Sequence, residues 1–210
     1  DPRARRITDL MERKNGLCLG TCGFQNGIDH AYTYGYWMHY LERDEAKRVI
    51  LGLYTSLAYG MTRDTYSGVE VTFLRAGENA PTLPHLYSGT QQLLLLRNLL
   101  LWEQDDVLWL GRAVPRPWLA DGQEIEVRDA PTRFGPMHFR LVSAVQAGRI
   151  TAQIDPPTVR PPRAILLRLR HPEDRPIRSV TVNGAVHDAF SRDTITLTGG
   201  RDRATVEVGY

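Results

Sequence analysis

The chain has 210 residues, of which 42% are hydrophobic and 24% are charged, and its formal net charge is +2. This length allows one large domain or two modest ones, and the composition is that of a globular protein with a buried core. So small a net charge gives no strong field toward nucleic acid or a membrane surface, so we predict neither as a partner. The longest leucine run, Leu93–Leu96, ends at Arg97 and is far shorter than the ~20 apolar residues that a membrane helix needs.

The N-terminal sequence and the cysteines say little about the compartment. The chain begins Asp1-Pro2-Arg3 without a signal peptide, and we expect it to be a processed chain or an internal piece. A secreted or periplasmic location of the full-length protein is compatible with this. The pair Cys18 and Cys22 allows a small disulfide or part of a metal site, but no second Cys pair and no HExxH-type His pair accompanies it. We predict two buried or half-buried thiols, with no metal and no cofactor.

The first part of the chain has the apolar spacing of helices. Ala4–Lys14 has this spacing, a glycine-rich loop at 16–27 follows, and 28–41 is predicted as an aromatic helix. Most simply, its aromatic faces pack in a core; alternatively, its start at Asp29-His30 borders a sugar-binding pocket. A third helix, 46–58, is predicted to be capped by Asp44 and to form a helical hairpin with the second.

A long polar and aromatic loop, Met61–Tyr87, separates these helices from a leucine-rich helix predicted at 88–103. Loops of this length without regular structure are uncommon in compact domains and are often functional. Because the leucine-rich helix is apolar nearly all round, we expect other elements to enclose it.

From Asp105 onward the pattern changes to short strands. Alternation at 124–129 and strands near 107–110, 137–145, 149–154, 164–170, 177–182, 194–198 and 204–208 are separated by Pro and Gly turns, with a hairpin signal at Asn183-Gly184. This pattern is typical of an antiparallel β-sandwich. The predicted class is therefore α+β, with a helical region at 1–104 and a sandwich domain at 105–210.

The junction 106–110 (DVLWL) with 114–122 (VPRPWLADG), preceded by an aromatic helix, a helical hairpin and a leucine-rich helix, resembles the C-terminal end of six-hairpin glycosidases. The resemblance implies that the helical hairpins are the end of an α/α toroid, followed by a β-sandwich. It also implies a carbohydrate substrate, and the missing N-terminal toroid helices of the same protein as a further partner.

Glycoside hydrolysis generally uses two carboxyl groups. The resemblance places the general acid in earlier hairpins and the second carboxylate on a late loop, which here offers Asp64, Glu70 and Glu78. Glu78 is the first candidate and Glu70 the second; Asp29 comes third, as a residue at the pocket border. Aromatic and polar side chains that suit sugar rings and hydroxyls stand beside them, and these candidate substrate-binding residues are Tyr66, Asn79, His85 and Tyr87.

A non-catalytic function remains open: a sandwich that binds glycans, or a scaffold with helices as an interaction platform. In either case, helices that lack their toroid neighbours would expose apolar surface, and we expect self-association of the isolated chain.

Overall fold

A computed structural model describes residues 2–14, 16–198 and 202–210. The chain divides into two compact units, residues 1–99 and residues 100–210. The described part contains helices and mostly antiparallel sheets, which agrees with the predicted α+β class. Its α-helices are α1 (Pro2–Arg13), α2 (Tyr34–Glu42), α3 (Ala46–Tyr59) and α4 (Leu86–Leu100). None of these helices is long and apolar enough to cross a membrane.

Helices α2 and α3 form a helical hairpin across a short connection. Trp37 and Tyr40 of α2 and Val49 and Leu53 of α3 are buried. The indole Nε1 of Trp37 donates a 2.9 Å hydrogen bond to the carbonyl of Gly20, which satisfies the one polar atom of the buried ring. The predicted cap at Asp44 is wrong: this residue has a left-handed φ of 62°, and the N-cap of α3 is Glu45.

The first unit is not purely helical, which corrects the prediction for 1–104. It also contains a five-stranded antiparallel sheet in sequential order: β1 (Leu17–Cys18), β2 (Thr21–Phe24), β3 (Gly27–Asp29), β4 (Val71–Phe73) and β5 (Glu78–Asn79). The glycine-rich loop and the 61–87 loop therefore both contain strands. Strands of two to four residues are too short for a detectable alternation, which explains why the sequence pattern missed them.

Two predicted helix boundaries are also corrected. The aromatic helix begins at Tyr34 rather than at Ile28, because Ile28 pairs with Thr72 in the sheet. The leucine-rich helix ends at Leu100 rather than at Glu103. The next four residues form β6 (Leu101–Gln104). Leu93 is 67% exposed, so α4 is not enclosed on all sides as predicted.

The second unit consists of two sheets. A six-stranded sheet has the order β13-β12-β15-β10-β9-β8, and a four-stranded sheet has the order β14-β11-β7-β6. Their strands are β7 (Val107–Leu110), β8 (Glu124–Ala130), β9 (Met137–Ala144), β10 (Arg149–Asp155), β11 (Ala164–Arg168), β12 (Ser179–Val182), β13 (Ala185–Val186), β14 (Thr194–Thr198) and β15 (Ala204–Gly209). One hydrophobic cluster contains buried side chains of both sheets, among them Phe139, Ile150, Leu108 and Leu167. The two sheets thus share a core, as in a sandwich.

The sandwich is not wholly antiparallel, which corrects one detail of the prediction. Strands β7 and β11 pair in parallel, with Leu108 opposite Ile165. Parallel strands need a long connection, and here that connection contains β8, β9 and β10 of the six-stranded sheet. The predicted hairpin is present: Asn183 and Gly184 have φ of 50° and 81° between β12 and β13, as a tight primed turn requires.

Candidate functional site

Two loop segments of the first unit lie against each other. Gly68 forms a bridge with Met61, and the Gly68 carbonyl accepts a 2.8 Å hydrogen bond from the His85 amide. A Cβ at Gly68 would lie 2.7 Å from the carbonyl oxygen of His85, so this close approach needs a residue without a side chain. The backbone contact therefore brings the segment that ends at Glu70 next to the start of α4.

A groove with a volume of about 380 Å³ lies between these segments. Its walls include Tyr66, Pro84, His85, Leu86 and Leu93. The ring of Tyr66 is 75% exposed and the side chain of Leu86 is 79% exposed, so both offer apolar surface to a ligand. The volume falls within the range of small-molecule sites.

The imidazole of His85, which lines this groove, has a carboxylate beside it. The Oε1 of Glu70 lies 3.9 Å from the Nε2 of His85, and the side chains are 35% and 19% exposed. The peptide carbonyl of Glu70 accepts a 2.8 Å hydrogen bond from the buried His30 amide, which fixes the backbone that carries the carboxylate. The pair is therefore accessible to a ligand while its backbone is held.

Ser88 holds the other side of the imidazole. Its Oγ lies 2.7 Å from the Nδ1 of His85, and its backbone amide donates to the same nitrogen over 3.4 Å. Ser88 lies in the first turn of α4, where backbone amides need acceptors outside the helix, and His85 supplies one. Ser88 is fully buried, so its hydroxyl cannot reach a ligand in the groove.

Two other predicted binding residues, Tyr87 and Asn79, have different surroundings. The ring of Tyr87 meets that of His85 edge-on, with centroids 6.5 Å apart, and is 55% exposed. The Oδ1 of Asn79 lies 3.2 Å from the hydroxyl of Thr72, a residue that also contacts His30. Asn79 thus connects to the interior of the unit.

Glu78 occupies a different position. It starts β5, pairs with Phe73 across the β4–β5 hairpin and is exposed. Among the described residues, no side-chain hydrogen bond or ion pair involves Glu78, and Asp64 is exposed in the same way. No described residue therefore orients the Glu78 carboxylate.

Asp29 has a structural position. It is only 6% exposed, and its Oδ1 accepts hydrogen bonds from the amides of Ala31 at 2.8 Å and Tyr32 at 3.1 Å. Asp side chains form such local turns readily, and this one connects β3 to α2. The carboxylate is engaged by the backbone rather than presented to the groove.

No protein family model matches the sequence, and no curated protein matches it either. One solved structure, described as a glycoside hydrolase, is similar with a TM-score of 0.37 and 11% sequence identity. The match covers 90% of this chain and 34% of that one, so the chain spans about a third of its length. A similarity at this level does not establish a shared fold.

The sequence analysis missed a buried polar cluster in the first unit. His30 is fully buried, and among the residues that the structure describes its Nδ1 has no hydrogen-bond partner, nor do the Oγ of Ser56 and the Oε1 of Gln92. Burial lowers the pKa of His30 from 6.5 to about 4, so this ring is neutral near pH 7. Its neighbours come from α3, β4 and α4, so no spacing along the sequence could have revealed the cluster.

The second unit contains a cleft of about 420 Å³. Ile154, Ile165 and Leu197 form apolar parts of its lining, and Asn183 and His187 are polar members. The imidazole Nε2 of His187 is 3.0 Å from the carbonyl of Thr196. No Phe, Tyr or Trp lines this cleft within the described ranges, so it lacks a ring that would stack on a sugar.

Both cysteines are free and partly buried, as the sequence analysis predicted. Burial, followed by the nearby Asp29 carboxylate, raises the pKa of the Cys22 thiol. No group of His, Cys, Asp and Glu side chains in the part of the chain that the structure describes could hold a metal ion.

Proposed function

We propose that the chain is the C-terminal portion of a carbohydrate-active enzyme, a glycoside hydrolase that acts through a pair of carboxyl groups. Glu70 is the member of the pair that this portion supplies. Glycoside hydrolysis generally uses one carboxyl group to protonate the leaving oxygen and a second as base or nucleophile. The other carboxyl group belongs to a part of the protein that precedes this chain.

The observation that carries this proposal is the Glu70–His85 pair, whose imidazole lines an open groove together with the exposed Tyr66. A carboxylate within 3.9 Å of an imidazole offers both an acceptor and a donor for hydroxyl groups. Tyr66 adds a flat apolar face of the kind that packs on the apolar face of a sugar ring. Together these features suit a polyhydroxylated ring better than a purely apolar or a strongly anionic ligand.

Glu70 replaces Glu78 as the first candidate because catalytic groups need a fixed orientation. The Glu70 carboxylate has an imidazole partner, and its peptide is anchored to His30. Glu78 is exposed on a short hairpin with no partner for its carboxylate among the described residues. Preorganised groups contribute far more to catalysis than mobile ones.

Preceding helices of the same protein would also cover apolar side chains that the first unit exposes. Leu51, Tyr54 and Leu57 of α3 are 46%, 45% and 51% exposed. Exposed apolar surface of this kind favours association. In the chain alone, these side chains therefore promote self-association.

The test is hydrolysis by the full-length protein with Glu70→Gln and, as the matched control, Glu78→Gln. Loss of a catalytic carboxylate lowers kcat by orders of magnitude, roughly 10³-fold or more, without unfolding the protein. We expect this loss in Glu70→Gln only, with unchanged melting temperatures in both variants. Loss in Glu78→Gln alone would move the catalytic role to the hairpin, and full activity in both would reject the proposal.

The second candidate function is non-catalytic ligand binding by the sandwich cleft, which the 420 Å³ volume next to His187 favours. Glycan-array binding distinguishes the two. Binding that is lost in Tyr66→Ala and kept in His187→Ala belongs to the groove, and the reverse pattern belongs to the cleft.

A further inference from the structure

We propose that His85 is the specificity residue of the groove: its Nε2–H and the Glu70 carboxylate together hold a single hydroxyl group of the ligand. Ser88 positions the imidazole for this role from inside the protein. The inference rests on the proposed function of the groove as a sugar site, and it names the chemical group that the site recognises.

The Ser88 contacts assign the tautomer of His85. A backbone amide can only donate, and the amide of Ser88 donates to Nδ1 of His85. The Ser88 hydroxyl, 2.7 Å from the same nitrogen, can also donate to it. In the uncharged ring Nδ1 is therefore the acceptor and the proton is on Nε2, the nitrogen that faces Glu70.

The backbone fixes the place of both groups. The His85 amide donates to the Gly68 carbonyl over 2.8 Å, and the His85 carbonyl accepts from the Gly89 amide over 3.2 Å. Between Gly68 and Glu70 only Val69 intervenes, and it is fully buried. The imidazole and the carboxylate thus stand on two segments that are hydrogen-bonded to each other.

The 3.9 Å distance between Nε2 and Oε1 is too long for a direct hydrogen bond. It leaves room for one oxygen at about 2.8 Å from each atom, placed to one side of the line between them. That oxygen must accept a hydrogen bond from Nε2–H and donate one to the carboxylate, and a hydroxyl group does both. An ammonium group cannot accept, and a carboxylate or phosphate would be repelled by Glu70, so the pair selects a neutral hydroxyl.

The first experiment measures ligand binding by the protein with defined probes. These are the methyl glycosides of glucose, galactose and mannose and their monodeoxy derivatives, with NMR titration as the readout. For wild type, removal of one particular hydroxyl weakens binding by about 10- to 100-fold, the range expected for a hydrogen bond to a charged group. In His85→Leu that penalty becomes smaller, because only the Glu70 carboxylate still holds the hydroxyl, while the penalties at the other positions stay the same.

Two further variants separate positioning from general damage. His85→Gln keeps an N–H donor near the place of Nε2, and we expect it to restore part of the penalty. Ser88→Ala changes a buried residue that cannot touch the ligand, and we expect it to reduce the same penalty. His138→Leu is the matched control, because His138 also lies 3.9 Å from a glutamate, Glu126, but in the sandwich.

Labelling of the six histidines with ¹⁵N shows by NMR which nitrogen of each imidazole carries the proton. If Ser88 only stabilised the fold, its substitution would leave the tautomer of His85 unchanged. The His85 signals should show an unprotonated Nδ1 and a protonated Nε2, and Ser88→Ala should mix the tautomers. The opposite tautomer in wild type, equal deoxy penalties in wild type and His85→Leu, or no binding of any probe would overturn the inference.

The outcomes distinguish this inference from the proposed hydrolase. Suppose that Glu70→Gln abolishes turnover, but removal of the hydroxyl weakens binding as much in His85→Leu as in wild type. The hydrolase then stands and the role of His85 is rejected. If Glu70→Gln keeps full turnover but the penalty for removing one hydroxyl is smaller in His85→Leu than in wild type, hydroxyl recognition stands. The catalytic role of Glu70 is then rejected.

Discussion

The imidazole of His30 meets the hydroxyl of Thr72 inside the first unit, with Nε2 and Oγ1 3.3 Å apart and both side chains buried. The same hydroxyl donates to the Tyr59 carbonyl over 2.7 Å, so Nε2 of the imidazole is the donor in its contact. The hydroxyl of Thr72 therefore links the buried imidazole to the end of α3.

This burial predicts a pH-dependent stability. The pKa of His30 is about 4 in the folded protein, below the value near 6.5 of an unfolded chain. The unfolded state therefore binds the proton more readily, so the stability is fully present above pH 6.5 and is lost as the pH falls from 6.5 toward 4. We expect a loss of about 2–3 kcal/mol between pH 7.5 and 4.5 from this group.

The measurement is urea unfolding at both pH values for wild type and His30→Gln, followed at amide protons of α3. The pKa of His171 in the sandwich is also lowered, mainly by burial, and shifts stability in the same direction. The change in the free energy of unfolding between the two pH values, compared between wild type and His30→Gln, gives the contribution of His30 alone. An equal pH dependence in both proteins would contradict the prediction.

Gly52 in α3 lies where three segments touch. A Cβ there would be 2.1 Å from the Nε1 of Trp37 and 2.8 Å from the carbonyl oxygen of Gly20, the two partners of a hydrogen bond. Overpacking at such a site costs about 1–3 kcal/mol, whereas alanine gains only ~1 kcal/mol over glycine in a helix. We therefore expect Gly52→Ala to destabilise the first unit.

Gly35 in α2 is the matched control for Gly52. A Cβ at Gly35 would meet no atom within 4 Å, so Gly35→Ala should be neutral or stabilising by up to about 1 kcal/mol. Thermal unfolding of both variants gives the comparison. A loss of stability in Gly35→Ala as large as in Gly52→Ala would reject the packing explanation.

Tyr66 and Tyr32 provide a second matched pair, because the two rings are 75% and 71% exposed but only Tyr66 lines the groove. Loss of an aromatic face that stacks on a ligand costs about 1 kcal/mol, which corresponds to roughly a fivefold weaker affinity. We therefore expect Tyr66→Ala to weaken sugar binding by this amount and Tyr32→Ala to leave it unchanged, as measured by titration calorimetry. Equal affinities of both variants for the sugar would remove Tyr66 from the site.

The cysteines lead to a chemical prediction. In the β1–β2 hairpin Cys18 lies opposite Thr21 and Cys22 lies opposite Leu17. Successive pairs in a strand point to opposite faces, so the two thiols point apart. We expect no intramolecular disulfide under mild oxidation, and slow alkylation of Cys22 because burial raises its thiol pKa. Mass spectrometry checks both; a loss of two hydrogens from the intact folded chain would contradict the first.

Long, strongly patterned elements could be predicted from the sequence. The alternation of 124–129 and the Asn183-Gly184 turn are present in the sandwich, and α3 follows its apolar stripe. Each of these signals is local, because the residues that form it are neighbours in sequence. The parallel pairing of β7 and β11 depends on residues far apart in the chain, and no local pattern encodes it.

In the candidate site, too, the residue types could be predicted from the sequence, but the contacts between distant residues could not. Glu70, His85 and Tyr66 were identified from their residue types in one loop, but their meeting depends on the Gly68–His85 backbone contact. Ser88 was missed because a serine in the first turn of a helix is ordinary, and only the direction of its hydroxyl toward Nδ1 gives it a role. Asp29 was selected for its carboxylate, but that carboxylate is buried and accepts hydrogen bonds from the backbone amides of a turn.

The parallel pair also constrains the order in which the second unit is completed during synthesis. The hairpin of β6 and β7 emerges early, but β7 gains its other neighbour only when β11 has been made, more than fifty residues later, and β14 follows later still. Contacts this distant in sequence slow folding, because the loop must close before the contact stabilises it. On the ribosome, the inner edge of β7 therefore stays open until β8, β9 and β10, three of the six strands of the larger sheet, have been made. A nascent chain interrupted before Ala164 would carry that unpaired edge, which is the kind of surface that chaperones and aggregation both recognise.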